Sequence, residues 1–260
     1  MPCACTIAGS DSGGGAGIQA DLKTFSALGV WGCSVVTAVT AQNTRGVRGV
    51  WTLPPAAVAS QIGAVVDDFA VGAFKTGMLA EAGIIRTVAG ALPEDAVLVV
   101  DPVMIATSGA RLLAEDAVDA LTADLLPRAA LVTPNIPEAE VLSGLAGIDS
   151  AEGMIDAGRR ILRHGPGAVL VKGGHLSGGE AVDVLVTHDG VSRLSGERHP
   201  GSVHGSGCCL AAAITAFLVR GEDLSDACRH AKAFAALAIT HAAIAPSGAS
   251  MVNPGAVRWD

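Results

Sequence analysis

The chain has 260 residues, of which 50% are hydrophobic, 16% charged and 3% aromatic, with a formal net charge of −8. That is enough apolar mass for a sizeable core, and because Tyr is absent, aliphatic side chains and alanine must fill it. The acidic balance argues against a general nucleic-acid or anionic-membrane surface, yet it leaves room for a local basic site.

Read in chain order, short apolar runs alternate with longer amphipathic ones. A first strand ending at Thr6–Ala8 leads into a glycine-rich loop, Gly9–Gly17, and a helix over Ile18–Leu28. Strand Ser34–Thr40 precedes helix Pro55–Phe69, strand Val71–Thr76 precedes helix Glu81–Leu92, and strand Val97–Val100 precedes helix Glu115–Leu126. Strand Leu131–Thr133 is followed by helices Glu138–Leu142 and Glu152–His164, then by strand Ala168–Val171. Near Ala181–Leu194 the pattern changes, and Asp189-Gly190 between Val-rich runs signals a hairpin. Two long helices close the chain, Cys208–Val219 and one from about Asp223 to Ala245. Strands alternating with helices predict an α/β fold with a mainly parallel central sheet covered by helices on both faces. No repeat or low-complexity linker divides residues 1–260, which read as one domain.

Mean hydropathy is +0.48. The longest uncharged run that looks like a span, Cys208–Val219, is too short to cross a bilayer. The N-terminal residues lack a basic segment, so no signal peptide is expected. The six cysteines include no paired C-x-x-C, and vicinal Cys208-Cys209 is a poor bridge. Cys3 and Cys5 would share one face of a strand and be buried there. A reducing cytoplasm is the expected location.

The polar residues gather just after strands, at Gly9–Gly17, Gln42–Arg45, Lys75–Gly77, Asp101-Pro102, Thr133–Asn135 and Lys172–His175. In open α/β sheets, ligands bind at the carboxyl ends of strands, so these clusters predict one site along one sheet edge. The most informative of the loops is His204-Gly205-Ser206-Gly207-Cys208-Cys209, which opens into the apolar run Leu210–Val219. The first N–H groups of such a helix lack carbonyl partners and carry the positive end of its dipole. Flanked by glycines, they form a phosphate or oxyanion cradle. Cys208 then sits where a thiol is most easily ionised. One helical step, about 100°, separates Cys208 from Cys209, so Cys209 is expected to be packed and inert.

The Gly9–Gly17 loop is not a Walker A loop, because no Gly-Lys-Ser/Thr ends it, and not the dinucleotide fingerprint, because the glycine spacing fails and Ile18 stands where the third Gly would be. Its five glycines are costly for a plain turn, so the expectation is a backbone that approaches a ligand closely. Asp21 falls within the apolar stripe of the helix that follows, and a buried carboxylate needs a partner. A bound ligand is favoured over an internal salt bridge. Gln42 offers a donor and an acceptor side by side, matching a ring nitrogen next to an amino group. Asn135 and Glu138 have the spacing of a capping box around Pro137, and also that of oxygen donors for hydrated Mg²⁺. Asp101 is a second acidic candidate near metal or phosphate, and Lys172 is a candidate partner for nucleotide phosphates. A Cys–His hydrolase built on Cys208 and His204 is disfavoured, since only four residues separate them and no Gly-x-Ser-x-Gly elbow exists.

Seven segments carry a family resemblance when taken in order. They are Ala8–Phe25, Ala41–Val47, Lys75–Leu79, Asp101–Met104, Thr133–Glu138, Val171–His175 and His204–Cys208. Together they resemble the hydroxymethylpyrimidine/phosphomethylpyrimidine kinases of the ribokinase-like superfamily, over nearly the whole chain. The resemblance implies a three-layer ribokinase-like fold, ATP as phosphoryl donor with Mg²⁺, and two successive reactions. The hydroxymethyl group of 4-amino-5-hydroxymethyl-2-methylpyrimidine would be phosphorylated, and the monophosphate then raised to the diphosphate for thiamine synthesis. By the same resemblance, Gln42 is the pyrimidine-binding glutamine, and Gly9, Asp21 and Met78 are substrate-pocket positions. Cys208 stands where sugar kinases have an aspartate base, in the Gly205-Ser206-Gly207 anion hole. Asp101, Asn135 and Lys172 fall on the nucleotide side, with Asp101 and Glu138 toward the metal. Ser206 stands where Thr is usual and keeps the hydroxyl. Cys209 stands where Thr is common and loses it. A homodimer is expected from the relatives. The rival readings are a pyridoxal kinase of the same superfamily, whose substrate lacks the aminopyrimidine edge, and a catalytically inactive ligand-binding protein.

Overall fold

The computed structural model describes residues 1–105, 109, 112–114, 116–174, 180–199 and 201–259. Its centre is a nine-stranded sheet in the order β3-β2-β1-β4-β5-β6-β7-β8-β9. The strands are β1 (Cys3–Asp11), β2 (Trp31–Asn43), β3 (Gly46–Thr52), β4 (Ala73–Thr76), β5 (Leu98–Val100), β6 (Leu131–Val132), β7 (Ala168–Val171), β8 (Glu180–Thr187) and β9 (Val191–Glu197). From β2 through β7 the pairs are parallel. The ends, β3 at one edge and β8 and β9 at the other, are antiparallel. The parallel strands β4, β5 and β7 are buried along their whole length, as strands covered on both faces must be.

Among the described residues the α-helices are α1 (Gly17–Ala27), α2 (Pro55–Val66), α3 (Ala82–Ala91), α4 (Ala117–Ala120), α5 (Ile136–Ser143), α6 (Ala151–Leu162), α7 (Ser206–Val219) and α8 (Leu224–Thr240). They divide the core in two. One apolar cluster joins side chains of α2 through α6 to one sheet face, with Ile62, Ile85, Leu121 and Ile161 among its buried members. The other joins α1, α7 and α8 to the opposite face through Phe25, Ile214, Phe217 and Phe234. Alanines and Cys209 and Cys228 fill the gaps there, which lets α7 lie close to the strands beneath it. The result is the three-layer arrangement that the alternating pattern predicts. Cys3 and Cys5 are both buried on β1.

Three stretches differ from the sequence expectation. The helix expected over Glu115–Leu126 is α4, only Ala117–Ala120, followed by a π turn over Leu121–Leu125 and a 3₁₀ turn over Leu126–Arg128. The polar cluster Gln42–Arg45 is the turn of a hairpin, since the chain returns as β3 against β2. β3 is mostly exposed, so it carries no inward apolar alternation to announce it. The last helix stops at Thr240, not Ala245. The alanine-rich run holds no glycine or proline before Pro246, so nothing local marks the end. Tertiary pairing marks it instead. Strands β10 (Val203–His204), β11 (Ala243–Ile244) and β12 (Ser250–Met251) form a small second sheet. It ties His204 to the C-terminal segment through the Val252 N–H bond to the His204 carbonyl at 2.9 Å. The expected helix start at Glu115 and the expected polar residue His175 lie outside the described residues.

Candidate active site

A cavity of about 1210 Å³ opens along the sheet edge where the polar clusters meet. It is lined by Gly9, Gln42, Met78, Asp101, Asn135, Glu138 and Lys172, together with the turn Gly205–Cys208. Of the candidate catalytic, substrate, nucleotide and metal residues, Asp21 alone does not line it, and of the polar clusters expected at this edge Lys75–Gly77 does not.

The turn is set up by Gly205, whose φ of +83° is left-handed, a conformation that suits glycine. A Cβ there would also sit 1.8 Å from the Gly15 carbonyl oxygen. The first helical bond runs from Cys209 N–H to Gly205 O at 2.9 Å. The N–H groups of Ser206, Gly207 and Cys208 therefore precede the helical ladder and carry the positive end of α7. A Cβ on Gly207 would meet only Lys172 Nζ, at 3.4 Å, so the anion hole and a lysine share one space.

Cys208 is half-buried and Cys209 is fully buried, as the helical step requires. The ionisation expected for Cys208 is corrected here. Burial pushes its thiol up to about 11, outweighing the pull of Lys75 and of the Gly17 N–H, while Asp21 and Asp101 push the same way as burial. Burial likewise carries Cys209 to about 12. A helix N-terminus favours thiolate, but here desolvation wins.

Asp21 is buried as its place in the apolar stripe predicts, but its partner is not a ligand. Lys75 Nζ donates to Asp21 Oδ2 at 2.9 Å and Thr6 Oγ1 donates at 2.6 Å, with both charged side chains 0% exposed. Burial works against the Lys75 ammonium, but the anionic groups around it, Asp21 first, hold its pKa above the ordinary lysine value. The expected ligand contact is therefore replaced by an internal ion pair. The sequence places Lys75 in the polar cluster Lys75–Gly77 at this sheet edge, but that cluster does not line the cavity, and the pairing of Lys75 with Asp21, 54 residues away, was not legible.

A second pair opens on the cavity. Lys172 Nζ donates to Asp101 Oδ1 at 2.8 Å, and Thr133 Oγ1 donates to the same oxygen at 3.2 Å. Burial disfavours the Asp101 carboxylate, yet Lys172 and Lys75 hold its pKa below the usual range. Beside it, the Asn135–Glu138 capping box is complete, with Glu138 N–H to Asn135 Oδ1 and Asn135 N–H to Glu138 Oε2 both at 2.9 Å. The cap thus engages the Asn135 oxygen that was also a candidate metal donor. Burial lifts the Glu138 carboxyl to about 7, with Lys172 opposing and Asp101 adding to the rise. Glu138, which burial leaves short of positive charge, and the neighbouring Asp101 would together offer oxygens to a hydrated divalent cation held through its waters.

The glycine-rich loop is explained largely from within the protein. A Cβ on Gly17 would lie 2.3 Å from the Gly9 carbonyl, and one on Gly15 would lie 2.6 Å from the His204 ring. The expected close approach is thus of backbone to protein at these positions, while Gly9 lines the cavity against Met78. Asp11, which the sequence reading passed over, organises the loop. Its carboxylate accepts from the N–H groups of Gly13, Gly15 and Ala16 at 2.8, 3.1 and 2.9 Å, and from His204 Nε2 at 2.9 Å. An Asp two residues before a glycine run was the available signal, but its second partner lies 193 residues away. Gln42 stands at the end of β2, half-buried, beside Thr40 and His204.

The phosphomethylpyrimidine kinase family matches residues 11–253. The hydroxymethylpyrimidine/phosphomethylpyrimidine kinase of Rhizobium meliloti is 50% identical over 241 residues, covering 92% of this chain and 91% of that protein. The thiamine biosynthesis bifunctional protein ThiED of Geobacter sulfurreducens is 49% identical over 251 residues, and the chain spans about half of it, 51%. The structure of Bacillus subtilis pyridoxal kinase in complex with ADP superposes with a TM-score of 0.90 at 34% identity, covering 100% of both chains. The anion hole, the thiol and the lysine–carboxylate pair thus occur on a ribokinase-like fold and in a sequence aligned almost from end to end, and the chain belongs to the phosphomethylpyrimidine kinase family.

Proposed function

We propose that this kinase transfers the γ-phosphoryl group of ATP to the hydroxyl of 4-amino-5-hydroxymethyl-2-methylpyrimidine, and then phosphorylates the monophosphate to the diphosphate used in thiamine diphosphate synthesis. The observation that carries the reading is the meeting of three groups in one cavity: the α7 N-terminus with Cys208, the Lys172–Asp101 pair, and the carboxamide of Gln42.

Phosphoryl transfer needs positioning and charge neutralisation more than covalent chemistry. The N–H groups of Ser206, Gly207 and Cys208 hold the transferring phosphoryl group, and Lys172 reaches the same space to balance donor phosphates. Mg²⁺ would be held by Asp101 and Glu138, supplying positive charge to the donor phosphates. Gln42 binds the ring edge, with Gly9 and Met78 walling the ring pocket. Asn135 borders the nucleotide side. Cys208 holds the substrate hydroxyl, and because burial keeps its thiol protonated in the free protein, it takes the hydroxyl proton only from its minor thiolate form as the bond to phosphorus forms. In the second reaction the acceptor is already an anion, so no base is required. Asp21 acts only from beneath, through its pairing with Lys75.

A pyridoxal kinase is the second reading, favoured by the full-length superposition on the Bacillus subtilis enzyme. The donor–acceptor edge offered by Gln42 favours the pyrimidine. Mg·ATP turnover of the pyrimidine alcohol, its monophosphate and pyridoxal, measured side by side, decides between them. Turnover of pyridoxal alone overturns the pyrimidine reading, and turnover of none by folded protein returns the ligand-binding alternative. In this reading the chain works as a single kinase unit in a homodimer in the cytoplasm. The exposed Val39, Val50 and Trp51 of the β2–β3 hairpin support self-association, which light scattering would test. Among the described residues no helix is long and apolar enough to cross a membrane.

A further inference from the structure

The Asp11 carboxylate has a hydrogen-bond donor at both oxygens, and three backbone N–H groups are among them. Burial works against its charge, but His204 and these N–H groups hold its pKa below the usual carboxylate range. The ring atom that faces an ionised oxygen at 2.9 Å must carry a proton, so His204 Nε2 is a donor and has no lone pair to offer. Gln42 Nε2 stands 3.4 Å from that same nitrogen, which sets one donor against another. On the other side, Thr40 Oγ1 gives its proton to the Ser10 carbonyl at 2.9 Å and faces Gln42 Oε1 at 3.2 Å. That sets acceptor against acceptor. A half-turn of the carboxamide, which costs no change of shape, turns its amino group to the Thr40 oxygen and sets its oxygen beside the His204 N–H, which it then shares with Asp11 as the longer branch of a bifurcated bond.

We propose that His204, held by Asp11, is a positioning residue that fixes the Gln42 carboxamide with its oxygen toward His204 and its amino group toward Thr40, and so selects the ring edge. Resting on the aminopyrimidine reading above, this assigns the order of groups along the edge. The free hydrogen of the Gln42 amino group meets a ring nitrogen on the Thr40 side. The free lone pair of its oxygen meets the ring amino group on the His204 side. The hydroxymethyl carbon is attached next to the carbon bearing that amino group, on the side away from the ring nitrogen. It therefore points past His204 toward Gly205–Cys208, which follow His204 directly in the chain. With the carboxamide reversed, the same ring would have to turn its hydroxyl away from the anion hole. The His204 ring cannot swing freely, because it packs on Gly15 and its carbonyl is tied to Val252.

The test is calorimetric binding of the 4-amino ring and of its 4-oxo analogue, which presents an N–H donor and a carbonyl acceptor in reversed order. Wild-type protein should prefer the 4-amino ring on the order of 100-fold or more, because the wrong edge leaves polar groups unpaired on both sides. His204→Phe should keep the ring shape and lower that preference several-fold, with the remainder kept by Thr40, which still accepts from the amino group. His204→Gln can still place an N–H near both Asp11 and Gln42, so it should retain the preference within about threefold of wild type. A purely structural role would weaken both ligands alike and leave their ratio unmoved. Equal binding of the two rings by wild-type protein overturns the proposal without any variant, as does an unchanged ratio in folded His204→Phe. Mg·ATP turnover of the pyrimidine alcohol by the same wild-type protein reports separately on the function it rests upon.

Discussion

Two lysine–carboxylate pairs sit beneath and beside the anion hole, and the contrast between them separates structure from chemistry. Asp21–Lys75 and Asp101–Lys172 have nearly the same length, 2.9 and 2.8 Å. Each lysine lies in or just after a parallel strand, β4 or β7. The first pair is 0% exposed at both ends, whereas Lys172 is 14% exposed and lines the cavity beside Gly207. A sealed pair cannot trade its partner, so its role is to hold α1 against β4 and to set the field around Cys208 and Asp101. An open pair can. Lys172 borders the cavity, so it can share its ammonium with a phosphate while still covering the buried Asp101 carboxylate. Under the proposed function, identical chemistry serves as scaffold in one place and as ligand grip in the other, and access to the cavity separates them.

The largest effect that would break this contrast is on stability. Lys75→Met should destabilise the fold by about 3–5 kcal/mol in urea titration, because it strands the Asp21 carboxylate. Adding Asp21→Leu should recover most of the loss, since an apolar replacement of a buried pair is often neutral. A loss below about 1 kcal/mol in the single variant would mean that Asp21 finds another partner or takes a proton. Next comes Cys208→Ala, expected to slow the first phosphorylation about 10²–10⁴-fold in single-turnover assays and the second far less. Equal loss in both steps would point to positioning, and no loss would remove the thiol from the chemistry. Because burial puts the Cys208 thiol near 11, its alkylation in the free protein should climb about tenfold per pH unit above neutrality. A plateau near pH 8 would contradict the burial argument.

Lys172→Met should sharpen the contrast from the other side. It should lower kcat/KM for ATP roughly 10–100-fold, in keeping with one lost charge-assisted contact, and cost less stability than Lys75→Met. The reverse ranking would exchange the roles of the two lysines. Gln42→Leu should weaken pyrimidine binding by about 1–3 kcal/mol in calorimetry and leave ATP binding intact. Unchanged pyrimidine affinity would take Gln42 out of the ring site. The smallest effect is expected for Cys209→Ala, about 1 kcal/mol of stability from a packed side chain, with both phosphorylation rates unchanged.

How much of this was legible in the sequence depends on how local the cause is. The strand–helix alternation gave the layered fold, because burial on one face imposes a period that every window of the chain repeats. The helix-opening turn at Gly205–Cys208, the Asn135–Glu138 cap and the different burial of Cys208 and Cys209 are also local, each set within a single helical turn. β3 was missed because an exposed edge strand imposes no such period. The glycines of the first loop were read as room for a ligand, whereas Gly15 and Gly17 make room for His204 and for the Gly9 carbonyl.

What the sequence determined by itself was therefore the main alternation of strands and helices, the edge of the sheet that carries the polar residues, and the turns and caps set within one helical turn. Only the tertiary structure decided the pairings. It joined Asp21 to Lys75 across 54 residues and Asp11 to His204 across 193. It also reversed the expected ionisation of Cys208, because a helix terminus acts on a thiol through its own backbone, while desolvation depends on everything packed around it. Short-range hydrogen-bond geometry is written in neighbouring residues. The electrostatics of a buried site depends on which distant charges the fold brings within a few ångströms, and on how much water it leaves between them.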